Sequence, residues 1–152
     1  MADFNLAIPI VLKNEGGYVN NSADSGGETK YGISKASYPS VDIANLTVEE
    51  ATAIYLRDFW IFGGIITQAV ANKLFDAYVN ERHAAIRIAQ QIAGVDVDGA
   101  YGPHTEAAIN KMDPYFFLDK FRAALVAHYQ AIVASHPNES VFLLGWLRRA
   151  QQ

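Results

Sequence analysis

The sequence predicts a mainly α protein: a single domain of two lobes, with one small β or loop element near residues 18–34. Three observations carry this. Apolar residues recur at helical spacing through most of the 152 residues. Start and stop signals bracket each of those runs. The one polar, glycine-rich stretch is also the only place where strand alternation is visible.

The first helix is read over residues 4–14, from Phe4, Ile8, Val11 and Leu12. Pro9 removes a donor and crowds the preceding turn, so a kink or a late start is expected there. Gly16-Gly17 ends the run. Tyr18 to Gly32 is dense in Asn, Ser, Gly and Asp and too polar for a core, which marks a surface loop or irregular hairpin. Thr47-Val-Glu-Glu50 has capping-box spacing ahead of Ala51, Ile54 and Tyr55, and Gly63-Gly64 is expected to break that helix near residue 62. Further helical patterns run through Val70, Leu74, Ala77 and Tyr78, and through Ile86, Ala89 and Ile92 up to Gly94. Pro103 and Pro114 fit first helical positions. The helix from Pro114 is expected to reach about Ser135, and Phe142, Leu143 and Trp146 mark a short final one. Two regions are expected, 1–66 and a helical lobe over 67–152, packed on one another because the first is too small for a core of its own.

Composition narrows the function. Apolar residues make up 51% and charged residues 18%, which excludes disorder. A net charge of −4 gives no global attraction to nucleic acid. The absence of cysteine excludes disulfides and thiolate metal sites. Met1-Ala-Asp-Phe-Asn lacks the positive start of a secretory signal, so synthesis in the cytoplasm is expected, with no stable membrane insertion. Residues 1–66 hold four basic and eight acidic side chains; 67–152 hold eight of each. Arg148-Arg149 could place a basic, lipid-facing patch on an amphipathic tail, with a packed final helix as the simpler account.

Glu15 follows Val11 by four residues and so continues the apolar face of the first helix. A carboxyl there is partly desolvated, which favours the protonated form that a general acid needs. Asp24, nine residues on, lies in the polar loop where a carboxylate is solvated. Thr29 adds a hydroxyl that both donates and accepts. Two carboxyls in contrasting surroundings are the apparatus of glycoside hydrolysis. Spacing alone also allows an ordinary helix-end Glu15 and a turn-forming Asp24. Asp96-Val-Asp98-Gly99 resembles the start of a calcium loop, but Tyr101 and Ala107 stand where glycine and glutamate belong, so a turn before Pro103 suffices. His83, His104, His128 and His136 have no metal-ligand spacing, and no metal or other cofactor is expected.

The stretch from Glu15-Gly16-Gly17-Tyr18 through Asp24, Gly26-Gly27-Glu28-Thr29 and Tyr31-Gly32-Ile33-Ser34 resembles the N-terminal signature of glycoside hydrolase family 108. That family contains phage and prophage muramidases and bacterial secretion activator proteins. The resemblance implies a lysozyme-like two-lobed domain with Glu15 as catalytic acid; the Glu, Asp, Thr order also resembles the triad of the small phage lysozymes, with Asp24 and Thr29 as its second and third members. Leu74-Phe75-Asp76-Ala77 to Asn80, Val97 to Pro103 with Thr105, and Phe142 to Trp146 with Arg149 are similar to the peptidoglycan-binding region that follows in these enzymes. One departure is Glu81-Arg82-His83, where the pattern leads us to expect a small, glycine-containing segment. Tyr18 and Tyr31, whose rings could stack on sugars, and Asp76 and Asn80, four apart on one helical face, are the expected substrate contacts. The resemblance implies a monomeric, endolysin-type N-acetylmuramidase that reaches bacterial peptidoglycan in the periplasm after release. A non-enzymatic wall-binding module and a lytic transglycosylase remain the alternatives.

Overall fold

In the computed structural model, which describes residues 1–21 and 26–152, helices enclose one core and a small sheet stands at its edge. The first helix, α1 (Phe4–Glu15), is capped by Asp3, whose carboxylate accepts from the Asn5 amide at 2.8 Å. It continues unbroken through Pro9. Pro9 and Asn5, the residue whose carbonyl it deprives of a donor, are both exposed, so water can take that bond. Phe4, Ala7, Ile8 and Val11 form the buried face, and Glu15 follows on the same side.

Three short strands come next: β1 (Val19–Asn20), β2 (Glu28–Lys30) and β3 (Ile33–Ser34), antiparallel in that order. Tyr31 and Gly32 close the β2–β3 hairpin with φ of 51° and 79°, the positive pair that a two-residue turn of this hand requires. α2 (Val48–Asp58) has the full capping box between Thr47 and Glu50. It stops at Asp58, short of the expected 62, because the following apolar residues leave the helix to fill the core. Phe59, Phe62 and Ile65 are all buried.

α3 (Gln68–Glu81) is the axis of the molecule, packed against α1 on one side and α4 (His83–Ala93) and α6 (Pro114–Ser135) on the other. Val70, Ala71, Leu74, Phe75 and Ala77 are all buried. Phe75 meets the rings of Phe4, Tyr55 and Trp60 edge-on, with centroids 5.2–6.4 Å away. Burying such a side chain contributes about 1.5–3 kcal/mol. Gly94 ends α4 in the left-handed conformation, and Pro103 opens α5 (Pro103–Asn110). After a single 3-10 turn (Pro137–Glu139), α7 (Ser140–Gln151) returns antiparallel along α6, with Trp146 stacked on Tyr129 at 5.3 Å. That return delivers the C-terminal residues to the end of α1. Among the described residues no helix is long and apolar enough to cross a membrane.

Candidate active site

Glu15 is the last residue of α1, and its side chain is about one-fifth exposed. It lines a cavity of about 200 Å³ together with Ser34 of β3 and Ser37 just after it, Tyr38, Tyr55 and Phe59 around α2, and Asn80 and Arg82 at the end of α3. Gly32 closes the cavity from the sheet side. A Cβ there would stand 2.8 Å from the Glu15 carboxylate and 2.3 Å from the Tyr55 hydroxyl, so only glycine lets the hairpin approach the acid this closely. The Tyr55 hydroxyl donates to the Tyr31 carbonyl at 2.7 Å and pins the turn in place. Burial raises the Tyr55 pKa well above its ordinary value, so this donor keeps its proton.

The charge behind Glu15 comes from the far end of the chain. Arg149, on α7, donates from Nη2 to Glu15 Oε1 at 2.7 Å, and from Nε and Nη2 to the Asp76 carboxylate at 2.9–3.2 Å. Its side chain is only 13% exposed, which rules out the lipid-facing role considered for it. Burial opposes its charge, but Asp76 and Glu15 outweigh that and hold its pKa above the usual arginine value. Glu15 is therefore the end of a buried Asp76–Arg149–Glu15 chain, not the solitary acid on an apolar stripe that spacing suggested. Lys73 completes the junction by donating to the Arg149 carbonyl at 2.7 Å, near the C-terminus of α7 where a cation is favoured.

The other expected residues are distributed as follows. Asp24 lies outside the described residues. Thr29 is central in β2, opposite Ser34 in the register, so both side chains share a sheet face. Among the described residues its hydroxyl makes only a long 3.5 Å contact, with the Gly27 carbonyl. Asn80 lines the cavity, held by Tyr129 and by Arg149 at 3.4 Å. Asp76 does not reach the cavity, contrary to the reading that had both residues looking into a cleft. It is 3% exposed, and its oxygens serve Arg149 and Asn14. Tyr18, just before β1, is 46% exposed and donates to Glu28 at 2.8 Å. Tyr31 is half-buried in the hairpin turn.

Arg149 is the site residue that sequence reasoning missed in this role. The signal was Asp76: a carboxylate inside Leu74-Phe75-Asp76-Ala77 must find a cation, and the tail supplies one. Arg82 is the second surprise. Where a glycine-containing segment was expected, it joins α3 to α4 at φ 49° and ψ −125°, a conformation suited to glycine that costs about 1–3 kcal/mol. A larger cavity of about 550 Å³ adjoins α5; three of the polar side chains that line it, Gln90, Asp98 and Thr105, are hydrogen-bonded to one another.

A family model described as Glycosyl hydrolase 108 matches residues 8–81, the span holding α1, the hairpin and α3. Residues 8–81 belong to the glycosyl hydrolase 108 family. The chain is accordingly a glycoside hydrolase. A second model, Predicted Peptidoglycan domain, matches residues 84–151, the span that delivers Arg149 to Glu15. Among solved structures the chain is similar to one titled "Structure of Brucella abortus SagA", at 28% identity and a TM-score of 0.81, over 97% of this chain and 88% of that one. The fold is lysozyme-like. A comparison with curated proteins gives no match.

Proposed function

We propose that the protein is an endolysin-type lysozyme that hydrolyses the β-1,4 bond between N-acetylmuramic acid and N-acetylglucosamine in bacterial peptidoglycan, lysing the cell from the periplasmic side. The observation that carries this reading is the placement of Glu15: a carboxyl at the floor of a cleft between hairpin and α3, backed by one guanidinium. Glu15 gives its proton to the glycosidic oxygen as the bond to the muramyl C1 breaks. The carboxylate left behind is held by Arg149. A water oxygen bonds to C1 from the other side, and its proton passes to Asp24, with the Thr29 hydroxyl orienting the water. Proton exchange with solvent resets both carboxyls. Asn80 on the cavity wall, and the rings of Tyr18 and Tyr31 on the hairpin, bind the sugars.

The assay is release of soluble fragments from purified sacculi. Glu15→Gln keeps the shape and the hydrogen bond from Arg149 but has no proton to transfer, so release falls by orders of magnitude while the circular dichroism of the fold is unchanged. Release within a few-fold of the unaltered protein would remove Glu15 from the reaction.

A further inference from the structure

We propose that Arg82 is a specificity residue: its guanidinium reads a carboxylate carried on the muramyl side of the substrate. This rests on the reading of the cleft as a muramidase site. Arg82 stands in the wall of the same cavity as Glu15. Its guanidinium lies 3.7 Å above the Phe59 ring centroid and 5.5 Å from that of Tyr78. Stacking on the ring faces fixes the plane of the group and keeps its N–H edge clear of the two rings, the presentation that suits a bidentate carboxylate.

Among the described residues, no protein group accepts a hydrogen bond from that edge. The described acidic neighbours accept their hydrogen bonds from other groups, although Asp58 still feels the Arg82 charge. Asp58 is held by Arg57 through two bonds of 2.6 and 2.7 Å and also accepts from Tyr38, while Glu15 is paired with Arg149. Among the described residues, one guanidinium is thus without a hydrogen-bonded carboxylate at the cleft wall, beside the hydroxyl-bearing Ser34, Ser37 and Tyr38.

The two sugars of the glycan differ in just this respect. N-acetylglucosamine carries no acid. N-acetylmuramic acid carries a lactyl ether that ends in a free carboxylate or in a stem peptide bearing carboxylates of its own. A fixed guanidinium beside the reacting acid distinguishes them by charge. The backbone supports the same conclusion: arginine occupies a positive-φ position that glycine would fill without strain, so the side chain is retained at a conformational cost.

The test measures binding, in the full-length Glu15→Gln protein so that ligands stay intact, by calorimetry with three short glycan strands. One has free lactyl carboxylates, one has them converted to methylamides, and one carries stem peptides. The free-acid or the peptide strand binds about tenfold tighter than the methylamide strand, and which of the two does so identifies the carboxylate. Adding Arg82→Gly, which relaxes the backbone and so keeps the fold, erases that difference. Arg82→Lys restores part of it. Equal binding of all three strands, or a preference that survives Arg82→Gly, would overturn the proposal. Turnover of sacculi by the unaltered protein is scored separately, so failure of the muramidase reading is seen independently of charge-dependent binding.

Discussion

Lys73 shows what a single buried side chain does to this protein. It is 6% exposed, and burial pushes its ammonium down to about 8 against the opposing pull of Asp76. Between pH 8 and the ordinary lysine value near 10.5, the unfolded chain therefore binds more protons at this position than the folded one. Stability rises with pH across that window on account of Lys73. Below it both states are protonated and the cost of burying the charge is fully present. The buried tyrosines act in the opposite sense above pH 10. Their folded pKa values are raised, Tyr129 to about 12 by burial, so stability falls as the unfolded chain ionises first. Comparison with Lys73→Met isolates the lysine. In urea titrations from pH 7 to 10.5, the stability of the unaltered protein relative to the variant increases above pH 8. A difference that is flat or declining over that range would refute the assignment.

At the scale of elements, α7 is the part whose role exceeds packing. It lies along α6 through Trp146 and Tyr129, and its last turn carries the only cation hydrogen-bonded to Glu15 among the described residues. Removing one partner of a buried ion pair leaves the other unpaired, which costs about 3–5 kcal/mol. Arg149→Met is expected to lose stability on that scale, mostly through Asp76, whose side chain is 4% exposed. Adding Asp76→Asn should recover a large part of the loss, because the amide needs no counter-charge. Chemical denaturation of the single and double variants measures both. A loss below about 1 kcal/mol, or no recovery in the double variant, would show that the pair is not the clasp between α7 and α3. Local signals in the sequence were strong for such elements one at a time. Thr47 with Glu50, Gly94, and Asp113 with Pro114 each mark a helix end where the structure has one. The end of α2 was misjudged, because Phe59 and Phe62 look like helix continuation and turn out to be loop residues drawn into the core.

For the molecule as a whole, the mainly helical class, the single small sheet and the position of Glu15 at the end of a buried stripe could all be read from periodicity. The partner of Glu15 could not. Arg149 is 134 residues away, and no local pattern encodes a contact created by the antiparallel return of α7. Asp76 was placed on the right helix and expected to look into a cleft, but it is buried against Arg149, because a helical period gives the face and not what lies against it. The same long-range closure makes the cleft: hairpin, α1 and α3 each supply a wall, and α7 holds them in register. The central claim is that this cleft hydrolyses the muramyl bond with water. Its most direct test is mass spectrometry of fragments released from purified sacculi in oxygen-18 water, followed by borohydride reduction. The account predicts new reducing ends that are N-acetylmuramic acid, each carrying one heavy oxygen and each reducible to the muramitol. Anhydromuramic ends without the label, or labelled ends on N-acetylglucosamine, would contradict it.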